Sequence, residues 1–99
     1  MNSVDNLNLS RWPSLDARVA LCELAEHVKE DRTYRPIGVV GTERLHVSAG
    51  GHDWELLVSG PKFFDTRKGQ GSGGAVDVAM HLFGLPFKGA VSLLWERDF

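Results

Sequence analysis

The sequence has few of the residues that disulfides, metal sites and membrane spans require. It contains a single cysteine, Cys22, which excludes an internal disulfide and a thiolate-rich zinc site. No apolar run is long enough for a transmembrane helix, and the polar first ten residues do not have the pattern of a signal peptide. We therefore expect a cytoplasmic protein that makes no membrane contact.

An excess of charge of one sign is also lacking. Eleven Lys and Arg residues stand against 13 Asp and Glu residues, a formal net charge of −2, so the domain as a whole does not attract nucleic acid. Any nucleic-acid contact must use a local patch. The acidic residues are scattered and the histidines lack ligand spacing, so the sequence predicts no catalytic residues, no metal site and no cofactor. The four histidines are His27, His46, His52 and His81.

The length and composition that are present suit one small domain. Ninety-nine residues, 42% of them hydrophobic, suffice for a single modest core. The polar residues 1–13 predict a flexible N-terminal arm, and residues 14–99 predict the domain. Ser14 is a suitable N-cap, and apolar residues recur at helical spacing from Ala17 to Val28. This pattern predicts a first helix of about four turns.

The middle of the chain has the period of β-strands. Apolar and polar residues alternate around Leu45 and Val47 and again from Trp54 to Val58, with a glycine turn between the two runs. Residues 34–40 predict an edge strand, because Pro36 excludes a central one, and residues 62–65 predict a short further strand. Helical spacing returns at positions 76, 79, 80 and 83 and again at 87, 90, 91 and 94.

Together these patterns predict the α+β class. The expected order is an N-terminal helix, a three- to four-stranded antiparallel meander, and a C-terminal helical hairpin. Phe83 and Phe87 are expected to meet over the sheet, and Trp54 and Phe63 are interpreted as core residues.

A glycine-rich stretch separates the meander from the helical hairpin. It reads KGQGSGG from Lys68 to Gly74 and precedes a helix N-terminus, where unpaired amides favour anions. It lacks the G-K-[ST] ending of a P-loop, and the antiparallel strands before it do not suit a dinucleotide fold. Three interpretations stay open: a structural turn, a contact to nucleic-acid phosphates, and a site for a free nucleotide.

The last third of the chain resembles a known family. The segment KFFDTRKGQGSGGAVDVAMHLFGLPFKGAVSLL is similar to the second half of the CHC2 zinc-finger domain that opens DnaG-type bacterial primases and related plasmid and phage proteins. The aromatic pair Phe63 and Phe64 and the glycine turn match the family's pattern. The matching helix and hairpin residues are Val76, Asp77, Met80, Gly84, Leu85, Phe87, Ala90, Val91 and Leu94.

The zinc ligands of that family are missing. The family has a cysteine and a histidine before the hairpin and a Cys-x-x-Cys after it, but residues 38–42 and 65–70 contain neither residue type. Gln70 stands where a cysteine is expected. The resemblance therefore implies a degenerate CHC2 fold, with a zinc-ribbon-like meander that has lost its zinc. Core burial is expected to offset the missing metal crosslink.

The resemblance implies a DNA-binding or template-recognition module, itself not catalytic, of a primase-like plasmid or phage replication or mobilisation protein. The acidic cluster of a primase core is absent, so primase activity is not expected here. Positive charge gathers near the glycine stretch, so single-stranded DNA is the expected partner. The expected contacts are the cations Lys62, Arg67 and Lys68, the latter two on a loop with few packing roles, and the amides of Gly71, Gly73 and Gly74.

Two other functions fit the same residues. The net charge of −2 and the missing zinc ligands favour a protein-interaction module that contacts a replication or mobilisation enzyme. A small-nucleotide sensor that uses the glycine stretch is the third possibility.

Overall fold

The computed structural model describes residues 11–36, 38 and 40–99. A 3-10 turn at Trp12–Ser14 leads into helix α1 (Ala17–Leu24), and the C-terminal third contains helices α2 (Ala75–Phe83) and α3 (Phe87–Glu96). Between them lie the strands β1 (His27–Glu30), β2 (Glu43–Ala49), β3 (His52–Ser59), β4 (Lys62–Asp65) and β5 (Gln70–Gly73). The class is α+β, as the sequence predicts.

The strands form one antiparallel sheet in the order β1-β2-β3-β4-β5. Each strand pairs with its neighbour in the chain, so the meander is confirmed with more strands than the three or four expected. Alternate residues point to opposite sides of the sheet. Leu45, Val47, Leu56 and Val58 face the helices and are buried, whereas the β2 and β3 residues between them are half-buried.

The hairpin between β2 and β3 forms where the sequence predicts it. Gly50 and Gly51 occupy the turn with φ angles of +61° and +78°. A two-residue turn with positive φ at both positions matches the twist of the strands, and glycine adopts it without steric cost. Ala49 therefore pairs with His52, which fixes the register of both strands.

The first helix is shorter than its apolar spacing predicts. α1 ends at Leu24, and the backbone becomes extended at Ala25 (φ −86°, ψ 156°). Val28, which was expected on the helix, lies in β1 opposite Val47 of β2. Strand pairing overrides the helical spacing here, because without β1 the long strand β2 would leave its backbone groups at an open sheet edge.

The predicted edge strand at residues 34–40 is wrong for the residues of that range that the structure describes; residues 37 and 39 lie outside them. A turn precedes the range, because the carboxylate of Asp31 accepts hydrogen bonds from the amide and hydroxyl of Thr33 (3.0 and 2.6 Å). The amide of Tyr34 then donates to the Asp31 carbonyl (3.3 Å). These bonds turn the chain away from the sheet, whose edge strand on this side is β1.

The entry to α1 also differs from the prediction. Asp16, and not Ser14, caps the helix by accepting a hydrogen bond from the amide of Val19 (3.3 Å). The preceding 3-10 turn buries Trp12 completely, and its indole nitrogen donates to the carbonyl of Phe99 (3.3 Å). Trp12 is thus a core residue although the sequence placed it in the arm. Residues 1–10 of that arm lie outside the described residues.

Part of the glycine-rich stretch is the strand β5, not a loop. Gly71 lies opposite Phe64 of β4, and a Cβ at Gly71 would lie 2.7 Å from the carbonyl oxygen of Phe63. At Gly74 (φ +94°), a Cβ would lie 2.8 Å from the Cα of Pro13. Both glycines therefore allow a close approach to the protein's own backbone. The stretch was missed as a strand because glycine carries no side chain to show the period.

Helix α2 buries a different face from the one expected. Two sets of apolar residues in this segment satisfy helical spacing, so the spacing alone does not fix which set faces the core. Phe83 is only half-buried and Phe87 is 56% exposed, so the expected meeting of these two rings over the sheet is wrong. The buried set is Ala75, Val78, Ala79 and Leu82, not Val76, Ala79, Met80 and Phe83.

Among the described residues, no single helix has the length and apolar composition to cross a membrane. α2 and α3 satisfy that test only as a pair, and their axes differ by 108°. Both helices contribute residues to the hydrophobic core.

Candidate functional site

The cations expected to bind DNA lie at two separate places. Lys62 begins β4 and, like Phe64, points away from the helices, because alternate residues of β4 are exposed. Arg67 and Lys68 follow β4 at its other end, next to Asp65, which points towards the helices and is buried. The molecule therefore has two candidate surfaces, one on each side of the sheet.

The first surface is the side of the sheet that faces away from the helices, here called the open face. Its central row pairs Arg44 with Leu57, Leu57 with Phe64, and Phe64 with Gly71. Phe64 is 43% exposed, whereas its neighbour Phe63 on the opposite side is 5% exposed. An aromatic ring thus stands at the surface of the sheet.

A groove of about 710 Å³ follows Phe64 across the open face. Leu57 and Phe64 give it an apolar wall, and Lys62 adds a positive charge. Gly71 and Gly73 of β5 pair with Phe64 and Lys62 and add no side chain, and the Phe64 ring lies against Gly71, where a Cβ would stand 2.9 Å from its Cδ1. Within the described part of the chain, no carboxylate forms an ion pair with Lys62.

The charge of Arg44, further along the open face, is already neutralised. Its Nε and Nη2 donate to Asp31 over 3.0 and 2.7 Å, and its guanidinium lies 5.1 Å from the centre of the Tyr34 ring. Hydrogen bonds from the Thr33 hydroxyl, and then from Arg44, hold the pKa of Asp31 well below its ordinary value. Because Asp31 stays ionised, Arg44 is not a strong candidate for a phosphate contact.

The second surface, here called the basic pocket, is a cavity of about 420 Å³ beside the turn between β4 and β5. Trp54 forms part of its wall and is 8% exposed, which agrees with its interpretation as a core residue. Two cations and two histidines add polar groups around the cavity: Arg67, Lys68, His52 and His81.

The buried carboxylate of Asp65 organises this pocket. It is 2% exposed, and its Oδ1 accepts hydrogen bonds from the amides of Arg67 (3.0 Å) and Lys68 (3.1 Å). Its Oδ2 lies 2.7 Å from Nε2 of His81. Burial acts to raise the pKa of Asp65, but the bonds from His81 and the two amides outweigh it, so the pKa lies below its ordinary value. The ionised carboxylate therefore holds the turn in place.

The two cations of the turn have contacts of their own, which the sequence did not predict. Nη1 of Arg67 donates to the carbonyl of Asp53 (3.2 Å). Nζ of Lys68 lies 5.1 Å from the centre of the Trp54 ring, within the range of a cation–π contact. The expectation that Arg67 and Lys68 have few packing roles is therefore wrong, because each side chain stands against the wall of the pocket.

Gly73 and Gly74 do not form the expected cradle at the N-terminus of α2, because their amides are hydrogen-bonded within the protein. The amide of Gly74 donates to the carbonyl of Pro61 (3.0 Å) and is not available to a phosphate. The carboxylate of Asp77 lies in the first turn of α2, where it accepts from the Ser72 hydroxyl and the Gly73 amide (3.4 Å). A negative charge already occupies this helix end.

Sequence reasoning missed the pair of Asp65 and His81. These residues are sixteen apart in the chain, whereas Asp77 and His81, four apart on one helix, have the spacing of a helical pair. Tertiary packing places the His81 ring between those of Trp54 (5.2 Å) and Phe63 (5.3 Å), over Asp65. The only local signal is an aspartate that ends a strand and begins the turn D-T-R-K.

The residues present do not fit the zinc ion of the resembled family. Positions 38–42 and 65–70 contain no cysteine or histidine. In the described ranges, no three His, Cys, Asp or Glu side chains are grouped so that they could hold a metal ion.

Comparison with known proteins gives one short similarity. The chain is 39% identical to the "65 kDa protein" of Zymomonas mobilis subsp. mobilis over 46 residues, which are 46% of this chain and 8% of that protein. The chain thus spans a small part of this relative, whose name states only a size. No family model and no solved structure matches the chain. The resemblance to the primase zinc-finger domain stays a prediction.

Proposed function

We propose that the chain is a non-catalytic nucleic-acid-binding module that holds single-stranded DNA on its open face. Its setting would be a primase-like replication or mobilisation protein of the cytoplasm, as the resemblance of the last third of the chain implies. The observation that carries the proposal is the 43% exposure of Phe64 on the same side of β4 as Lys62. Phe64 and Lys62 are two residues apart on one strand, so a base can stack on the ring while its phosphate contacts the cation.

Physical reasons favour an unpaired strand over a duplex. Bases stack on an exposed aromatic ring only when they are not paired, and such stacking contributes about 1–3 kcal/mol per base. The Phe64 ring, which lies against Gly71, borders the groove of about 710 Å³, and a base can enter the groove beside the ring. Lys62 then neutralises a phosphate, while Arg67 and Lys68 stay predicted phosphate contacts at the other end of β4.

The affinity is expected to be weak and dependent on salt. The net charge of −2 supplies no attraction beyond these local cations. For a single strand, each neutralised phosphate contributes about −0.7 to the slope of log affinity against log salt. A few contacts therefore predict a shallow slope.

Anisotropy of a fluorescent oligothymidine at low salt tests the proposal. Lys62→Ala combined with Phe64→Ala should weaken binding by about tenfold or more, since the stacked base loses about 1–3 kcal/mol. The matched control is Phe87→Ala combined with Lys88→Ala, which removes the same two residue types from the exposed start of α3. Equal affinities of both double variants and the parent would contradict the proposal.

A second candidate is a protein-interaction module on the same surface. Phe64 and Leu57 form an apolar patch on a sheet beside the edge strand β5, which a protein partner can cover. The oligonucleotide titration distinguishes the two. Absence of binding at low salt by a folded parent protein favours the protein partner, a replication or mobilisation enzyme.

A further inference from the structure

The basic pocket is a site separate from the open face. Trp54 and Asp65 point to the helix side of the sheet, whereas Phe64 points to the other side. The half-buried Phe83 of α2 completes the apolar part of the pocket wall. What binds in the pocket therefore need not touch Phe64.

The turn that presents the two cations is fixed before any ligand arrives. Asp65 accepts hydrogen bonds from the backbone amides of Arg67 and Lys68, and its second oxygen is held by His81. The hydrogen-bonding capacity of the buried carboxylate is therefore met within the protein, by the turn and by helix α2. A preformed turn lowers the ordering cost of binding, which favours a ligand site.

The side-chain charges of Arg67 and Lys68 are available to a ligand. In the described part of the chain, neither Arg67 nor Lys68 lies within ion-pair distance of a carboxylate. Asp53, the other acid of the pocket lining, accepts from the hydroxyl of Ser48 (3.0 Å). Arg67 uses one terminal nitrogen for the Asp53 carbonyl, and a guanidinium has further donors in fork geometry. The lining thus holds two cations and two carboxylates, and because Asp65 directs its oxygens to the turn amides and His81, Arg67 and Lys68 are the groups that can contact an anion.

Size and lining indicate more than an inorganic ion. The cavity of about 420 Å³ falls within the range of small-molecule sites, about 300–1,000 Å³. Its aromatic surface consists of the half-buried ring of Phe83 and the exposed 8% of Trp54, over whose indole Nζ of Lys68 lies. We propose that the basic pocket binds a phosphate monoester joined to a planar ring, the chemistry of a nucleoside monophosphate, with the phosphate on Arg67 and Lys68 and the ring against Trp54 and Phe83.

Titration of the full chain with thymidine 5′-monophosphate, followed by ¹H–¹⁵N NMR, tests this site. We expect saturable shifts at the amides of Arg67, Lys68 and Gly84, with affinity above that for thymidine or inorganic phosphate alone. Arg67→Ala combined with Lys68→Ala should weaken binding by about tenfold or more, because a charge-assisted fork contact is lost. The turn survives in this variant, since Asp65 binds backbone amides.

Two control variants separate the pocket from other causes. Lys29→Ala combined with Arg32→Ala removes the same charge from exposed positions in and after β1, at the far edge of the sheet, and should bind like the parent. Phe64→Ala should also bind like the parent, which separates this site from the proposed function on the open face. The proposal is overturned if thymidine 5′-monophosphate does not bind, binds no better than inorganic phosphate, or binds the Arg67 and Lys68 double variant equally well.

The nucleotide can be free or the end of a strand, and a further arm identifies the source. In the Phe64→Ala background, an oligothymidine with a 5′-phosphate is compared with the same oligothymidine ending in a 5′-hydroxyl. A preference for the phosphorylated end that disappears with Arg67→Ala and Lys68→Ala supports a strand end in the pocket. Equal weak binding of both, together with saturable mononucleotide binding, supports a site for free nucleotide.

Discussion

His81 donates a hydrogen bond through Nε2 to the buried carboxylate of Asp65, over 2.7 Å, and thereby joins α2 to the end of β4. An ionised carboxylate accepts, so the proton of this bond lies on the imidazole. The other carboxylate oxygen holds the turn of Arg67 and Lys68. A single buried charge therefore fixes both the helix and the turn against the sheet.

Stability should fall in acid because of this carboxylate. The pKa of Asp65 in the folded protein lies below its ordinary value of 3.8, so the folded state holds the ionised form more strongly than the unfolded chain does. This contribution is complete above about pH 5 and is lost as the pH falls through the ordinary value towards the folded pKa. Asp65→Asn should lower stability at pH 7 by about 1.5–3 kcal/mol, because a hydrogen-bonded charge is lost.

Urea denaturation at several pH values between 7 and about 3 measures this effect. Asp65→Asn should show a shallower loss of stability in acid than the parent, because one carboxylate that protonates on unfolding has been removed. Asp98→Asn, at an exposed aspartate near the chain end, is the control. An unchanged acid profile in Asp65→Asn would show that the carboxylate does not stabilise the fold.

The chain should fold without a metal ion. Positions 38–42 and 65–70, where the resembled family carries its ligands, contain no cysteine or histidine. Elemental analysis of purified protein is expected to find no stoichiometric zinc, and a chelator should leave the melting temperature unchanged. One zinc ion per chain would refute this prediction.

Gly74→Ala should be strongly destabilising. Its φ of +94° with ψ of 157° is a conformation that costs about 1–3 kcal/mol for other residues. The added Cβ would also lie 2.8 Å from the Cα of Pro13, so the 3-10 turn must move. Gly69→Ala separates these effects, because Gly69 has φ +65° but no atom within 4 Å of its Cβ position. We expect about 1–2 kcal/mol at Gly69 from the backbone alone, and a clearly larger loss at Gly74 in thermal unfolding.

Elements with a clear side-chain period could be predicted from the sequence. The hairpin of β2 and β3 followed from alternating residues and from the turn at Gly50 and Gly51, since both signals are local. β1 and β5 were missed for opposite reasons. Val28 continues a helical spacing that only long-range pairing with Val47 overrides. The residues of β5, Gln70–Gly73, have no alternation of apolar and polar side chains that could indicate a strand.

The candidate surfaces were predicted only in part. The sequence identified Lys62, Arg67 and Lys68 as candidate phosphate contacts, and all three are exposed in the structure. The placement of Lys62 and Asp65 on opposite sides of the sheet was not predicted from the sequence, although the two-residue period of a strand implies this placement. The contact of Asp65 with His81 depends on how α2 packs, which spacing along the chain does not encode.

Leu82 and Phe87 test how α2 and α3 are rotated in the core. Leu82 is 3% exposed and Phe87 is 56% exposed. Helical spacing had predicted the opposite, with Phe87 in the core. Leu82→Ala should cost about 2–5 kcal/mol, because it removes a buried side chain and leaves a cavity. Phe87→Ala should stay within about 0.5 kcal/mol of the parent. Urea denaturation of both variants measures the difference. If Phe87→Ala were as damaging as Leu82→Ala, Phe87 would have to lie in the core, and α3 would be rotated from the orientation that leaves this ring exposed.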